Sequence, residues 1–163
     1  FAEQWSRKLQ KGDCLITEIS GAYWGYSGQI HRTFSLGEPI ESWKKLHAVA
    51  VEGYLAIEET LKDGATTADI EDAAEIIHRR GYSIYDDLLH GVSQTPPIIQ
   101  TRTTKRHENP DITFRENMAI TIQPNVITPD EKMGLQFGET VIVTKTGCER
   151  LNAYPREWIV CSR

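Results

Sequence analysis

Residues 14–36 read CLITEISGAYWGYSGQIHRTFSL, a pattern that commits this part of the chain to paired strands. Residues 14–20 form a short strand-like run. Residues 22–36 are crowded with aromatic and β-branched side chains, which favour pleated backbone. Gly21 separates the two, so the stretch predicts a β-hairpin with a long second arm. Glu18, Gln29 and His31 are polar interruptions within it. Positions two apart on a strand share a face, so Gln29 and His31 are expected on one side.

Downstream, Pro39 is placed to open a helix, where its missing N–H costs nothing. Leu46, Val49, Ala50, Gly53, Tyr54, Ile57 and Leu61 keep helical spacing, predicting a helix over about 40–61. Asp63 and Gly64 stop it. Thr66 to Asp69 forms a variant capping signal for a second helix ending at about residue 80, with Gly81 as its stop. Residues 82–115 are loop-rich and punctuated by Pro96–Pro97 and Asn109–Pro110. Two strands follow, 118–123 (MAITIQ) and 135–144 (LQFGETVIVT), around a turn-rich connector. Lys145 to Gly147 then turns the chain into 148–151. Strands, two helices, then strands predict an α+β fold, a mostly antiparallel sheet with helices on one side.

The 163 residues suffice for one domain, so 1–163 reads as a single domain. Hydrophobic residues at 39% and charged residues at 25% are ordinary for a globular protein. No apolar run approaches the ~20 residues of a bilayer span, so no membrane partner is expected. No secretory signal is visible at the start. A net charge of −5 argues against a nucleic-acid partner. The basic stretch 102–106 reads as a solvated loop. Cys14, Cys148 and Cys161 are odd in number and scattered, which is neither a disulfide framework nor a CxxC metal site. Idle thiols suit a reducing compartment, and a cytoplasmic location is the expectation.

Several phrases, taken in order, resemble the pita-bread family of methionine aminopeptidase, prolidase, aminopeptidase P and creatinase. They are Gly12–Asp13–Cys14–Leu15–Ile16 with Gly25–Tyr26 and Arg32–Thr33–Phe34; His90–Gly91–Val92 before Pro96–Pro97; Ile120 to Pro124; and Gly138 to Thr144 with Gly147–Cys148–Glu149. The resemblance covers about residues 12–158. It implies a curved sheet of two related halves, of which this chain holds the first hairpin and the second half. The first helical pair would be missing. The hairpin would then need cover from an upstream part of the same protein or from another subunit, because a bare apolar face is costly.

Members of that family hold two divalent metals with two Asp, one His and two Glu. By resemblance those positions fall on Glu18, Gln29, His90, Gln123 and Gly138. Only His90 keeps its identity and Glu18 keeps a carboxylate, so the expectation is no metal and no cofactor: too little negative charge remains for two dications. Glu139 adjoins Gly138 but should point to the other face unless a bulge turns it. A single metal on Glu18, His31 and His90 stays open as an alternative. Gln94 or Thr95 stands where the family has a substrate-facing His.

The remaining histidines (His47, His78, His107) and the tryptophans (Trp5, Trp24, Trp43, Trp158) read as packing or surface residues. The resemblance then implies one of three functions. The first is a metal-independent hydrolase of C–N bonds in a small amino-acid-like substrate, with creatinase as the family precedent. His90, His31 and Glu18 would be its catalytic residues, with His90 or His31 shuttling a proton near neutral pH. Gln29, Gln123 and Gln94 would bind substrate. The second is an inactive pseudo-peptidase that binds a protein or peptide. The third is an Xaa-Pro-type metallopeptidase with unusual ligands. A small-molecule or peptide substrate is the expected partner, and a homodimer the default by analogy.

Overall fold

The structure is a computed structural model that describes residues 7–104 and 107–162. Trp5 and the basic pair 105–106 therefore lie outside the described residues. The hairpin forms as β1 (Cys14–Tyr23) and β2 (Tyr26–Leu36), in register from Cys14 against Ser35 to Tyr23 against Tyr26. Gly21 is not the divider expected from sequence. It sits inside β1 opposite Gly28, and the turn is Trp24–Gly25, both with positive φ. The aromatic residues pulled the expected boundary three residues early because they are favoured in strands and tolerated at exposed tips alike.

Helix α1 spans Glu41–Thr60 and α2 spans Thr67–Arg79. Pro39 lies one residue before the N-cap, Ile40, rather than inside the first turn. Thr66 and Asp69 make the expected capping box, each side chain bonding the other's backbone N–H. The helices pack on each other and cover one face of the sheet. Leu46, Ala50, Tyr54, Ile57, Ile70, Ala74 and Ile77 are buried there.

The chain then adds β3 (Ser83–Ile84), β4 (Leu89–Gly91), a single 3₁₀ turn (Val92–Gln94) and β5 (Thr95–Ile99). Next come β6 (Ala119–Ile122), β7 (Asn125–Ile127), β8 (Gly134–Gln136) and β9 (Gly138–Val143). Last are β10 (Cys148–Arg150) and β11 (Ile159–Cys161). The large sheet runs β1-β2-β9-β6-β4-β5, with β10 beside β9 and β11 beside β2; a small sheet runs β3-β7-β8. All pairings are antiparallel except β11 with β2. The run 135–144 was expected as one strand; it breaks at Phe137 and serves both sheets. The connector 124–134 contains β7, which a turn-rich composition concealed.

Alternation fixes what each face carries. On β6, Ile120 and Ile122 join the hydrophobic core while Thr121 faces away; on β9, Val141 and Val143 join it while Thr140 faces Thr121. The face turned away from the helices is therefore polar. Among the described residues only β2 flanks β1 in the large sheet, and most of β1 is exposed, including Ile19 at 58% and Tyr23 at 78%. Among the described residues no helix is long and apolar enough to cross a membrane.

Candidate functional site

The polar face collects side chains from four strands. Register places Gln29 and His31 of β2 on it, and Glu18 of β1 pairs directly with His31. His31 in turn pairs with Gly138 of β9, and His90 of β4 with Thr121 of β6. Gln123 follows β6 directly and packs against Gly138. The structure thus assembles Glu18, Gln29, His31, His90 and Gln123 on one face. Gln94 falls in the 3₁₀ turn after β4, and its side chain lies outside the described residues.

Gln29 donates from Nε2 to Glu18 Oε1 at 2.9 Å, and its backbone N–H donates to Thr140 Oγ1 at 2.8 Å. Gln123 donates from Nε2 to Asp87 Oδ1 at 3.0 Å. Carboxylates only accept, so both amide orientations are fixed. Gln29 Oε1 and Gln123 Oε1 are left buried without a partner. His90 donates Nδ1–H to Gly91 O at 2.5 Å, and its Nε2 is buried with no hydrogen-bond partner among the described residues. The tight turn that seats His90 needs a glycine at 91: a Cβ there would lie 2.6 Å from Pro96 O and 2.7 Å from Thr95 O.

His31 is wholly buried and neither ring nitrogen has a hydrogen-bond partner. Its Nε2 lies 3.6 Å from Glu18 Oε2, too long for a hydrogen bond. Burial above all, then the charges of His90 and Arg32, push its pKa down to about 4. Of the two histidines expected to shuttle a proton near neutral pH, His90 or His31, burial disfavours His31. At pH 7 it is a neutral ring with one N–H to donate.

The lowered His31 pKa sets a pH dependence. The unfolded chain takes up a proton near 6.5, whereas the folded chain does so only near 4, so stability is lost as pH falls through that window. His47, lowered by burial first, acts with the same sign; Asp87, raised, acts with the opposite sign. Urea unfolding is expected to show His31→Asn removing about 2 kcal/mol of stability loss between roughly pH 7 and pH 5. Parallel profiles for the two proteins would contradict a buried neutral His31.

Two residues were missed by sequence reasoning. Asp87, 5% exposed, holds Gln123, and burial pushes its carboxyl up, partly offset by Gln123 and His90. The acidic pair Asp86–Asp87 shortly before His90 was the available signal. Asn125, 6% exposed, has an unpartnered Oδ1; nothing in a loop-like NV sequence marked it. It lines a groove of about 340 Å³ with Ile16, Tyr85, Asp86, Leu135 and Gln136.

Glu139 belongs to the opposite face, as alternation predicts. Tyr54, Arg32, Arg150, Arg156 and Asn152 all bond its carboxylate, which is 0% exposed. Burial alone would raise its pKa, but the bonds from Arg150, Asn152 and Arg32 prevail and hold it at about 2. Gly138 itself has no room for a side chain: a Cβ would sit 2.2 Å from Ile122 O and 2.7 Å from Gln123 Cα. No group of three or more His, Cys, Asp or Glu among the described residues is arranged to hold a metal ion. All three cysteines are free, and Cys161 is exposed.

The profile of metallopeptidase family M24 matches residues 2–145. An Xaa-Pro dipeptidase of Pyrococcus horikoshii is 30% identical over 157 residues, covering 94% of this chain and 43% of its own. The crystal structure of dipeptidase PepE from Mycobacterium ulcerans superposes with a TM-score of 0.83 at 26% identity, covering 98% of this chain and 43% of that one. An X-Pro aminopeptidase from Thermotoga maritima MSB8 gives 0.79 at 27% identity, covering 94% and 43%. The chain thus spans less than half the length of these relatives.

Proposed function

We propose, from the premise that this chain belongs to metallopeptidase family M24 and carries its pita-bread fold, that its site hydrolyses a C–N bond of a small amino-acid-like substrate without a bridged metal pair. The observation that carries this reading is the set of buried polar atoms left unpaired where the family's metal ligands would stand. The side chains present do not fit two dications. Glu18 and Asp87 are each engaged by a glutamine amide, Gln29 and Gln123 offer neutral oxygens, and Gly138 offers nothing. A relic pocket would gain by filling these places with apolar side chains or by pairing the polar ones.

The chemistry follows from the proton inventory. The Nδ1–H bond to Gly91 fixes the His90 ring and leaves Nε2 as the nitrogen that takes a proton, the geometry of a general base. Water attacks the carbon while His90 takes its proton; the C–O bond forms, the C–N bond breaks, and His90 returns the proton to the leaving nitrogen. His31 donates its neutral N–H to the developing oxyanion, a role its depressed pKa suits. Glu18, 34% exposed, meets a cationic group of the substrate, and the two glutamine oxygens accept its N–H groups. The exposed Ile19, Tyr23, Trp24 and Tyr26 support cover of the hairpin by another part of the protein or a second subunit.

Amine release from dipeptides, N-acyl amino acids and amidines, followed by NMR, tests this reading. Turnover of at least one class is expected to survive chelation and to fall about 10²-fold or more in His90→Asn. Hydrolysis that stops on chelation and returns with a divalent metal would overturn it in favour of a metallopeptidase. Ligand binding with no turnover in any class would leave a binding module instead.

A further inference from the structure

We propose that the outer arm of the β1–β2 hairpin is a lid over the polar face, latched by the hydrogen bond between Ser27 and Ser93, and that release of this latch admits reactants to the buried rings of His31 and His90. The inference concerns access and stands whichever reaction the site performs. The two serine hydroxyls meet at 2.6 Å. Ser27 lies on β2, and Ser93 lies in the 3₁₀ turn that follows β4. In the large sheet β9 and β6 stand between β2 and β4. Three strand spacings on a flat sheet would hold those elements about 14 Å apart. The sheet therefore curls until its two sides touch, and the serine pair marks the seam. His90 on β4 acts electrostatically on His31 on β2 across the same curl. Ser27, Gln29 and His31 alternate onto one face of β2, so the latch lies at the end of the row that carries the site.

The arm is hung so that it can move. β2 pairs with β9 only at Ile30 and His31, and further out its ladder neighbour is β1 alone. Among the described residues the serine bond is the only hydrogen bond that joins residues 19–28 to anything outside the hairpin. Residues 19–26 are exposed. Two strands with so few outside contacts open locally at low cost. The turn, by contrast, is held. Thr95 donates both its N–H and its hydroxyl to Val92 O, and Ser93 sits at φ 58°, a left-handed conformation uncommon outside glycine. That conformation sets where the Ser93 hydroxyl stands. His31 is 0% exposed and His90 1%, and both ring nitrogens of His31 and Nε2 of His90 are buried without partners. A reactant reaches those nitrogens only when something moves, and the arm is the neighbouring element with least to hold it.

Acylation of the full chain by diethyl pyrocarbonate, which attacks uncharged imidazole nitrogens, tests this without any turnover when each histidine is followed by peptide mass spectrometry. Ser93→Gly removes the hydroxyl and accepts the positive φ. It is expected to speed modification of His31 and His90 about fivefold, the ratio set by loss of one net hydrogen bond. Ser27→Ala is expected to do the same. His78, whose Nε2 is buried on α2 away from the hairpin, is the control and should keep its rate. Ser27→Cys combined with Ser93→Cys, oxidised with diamide, is expected to cross-link the arm to the turn. His31 and His90 should then react about fivefold or more slowly than in the unaltered chain, and reduction should restore their rates. Unchanged His31 and His90 rates in a folded Ser93→Gly protein, or in the cross-linked one, would overturn the inference. So would an equal rise at His78, which would mean general loosening, or failure of the cross-link to form, which would mean that the arm does not rest on the turn.

Discussion

Glu139→Ala is expected to cost about 3–5 kcal/mol of stability, the largest loss from any single truncation outside the hydrophobic core. The reason is the company Glu139 keeps. Its carboxylate is fully buried and receives bonds from Arg32 at 3.0 Å, Arg150 at 2.6 Å and Tyr54 at 3.1 Å, with Asn152 and Arg156 completing the shell. Arg32 is itself 3% exposed. Removing the anion leaves that guanidinium buried with no counter-charge, and the Tyr54 hydroxyl keeps Glu58 as acceptor and Arg156 as a distant donor. The same cluster fastens residues 150–156 to α1 and to the strands that carry the site. Arg32 also donates to the carbonyl oxygens of His31 and Gly138. A thermal melt should therefore drop by roughly 10 °C or more. Glu52→Ala, which breaks an exposed pair with Arg80, should change it by no more than a few degrees. Equal small effects for both would show that the cluster contributes nothing beyond surface pairing.

Gly138→Ala is expected to cost about 3 kcal/mol or more, although it adds a single methyl group. The obstruction is backbone, Ile122 O at 2.2 Å and Gln123 Cα at 2.7 Å, and backbone cannot rotate aside as a side chain would. Gly21→Ala, in an equally extended strand with nothing within 4 Å, should stay within about 0.5 kcal/mol. These two variants bear directly on the proposal that no metal pair is bound. Gly138→Glu would put back the carboxylate that the family resemblance assigns to this position, yet β9 has closed onto Gln123 over the space it needs. That variant is expected to unfold more readily and to gain no metal affinity. A stable Gly138→Glu protein that binds divalent metal would show that only the residue, and not the backbone, had changed.

The larger outlines were legible in the sequence because they depend on periodicity. Helical spacing from Leu46 to Leu61 gave α1, and Thr66 with Asp69 gave the start of α2. Alternation around Gly138 sent Glu139 to the helix side, where the structure has it. What escaped depended on contacts between distant residues. Gly21 looked like a divider because a glycine in a strand and a glycine in a turn read alike; its place opposite Gly28 is a matter of register. The groove beside Asn125 needs β1, β7 and β8 brought together, which no local pattern encodes. Asp87 became part of the site only when β4 and β6 paired and set it against Gln123. His31 was placed correctly on the Gln29 face. Its loss of basicity came from complete burial, which alternation alone did not disclose.

The proposed function rests on electrostatics: amides and a glycine stand where the family resemblance places anionic ligands for paired dications. Titration of chelator-treated protein with Mn²⁺ or Co²⁺, read by calorimetry and by elemental analysis after dialysis, addresses it most directly. Retention well below one equivalent, with no saturable heat, is the expected result. Two tightly held ions per chain, lost on Glu18→Ala or His90→Ala, would contradict it.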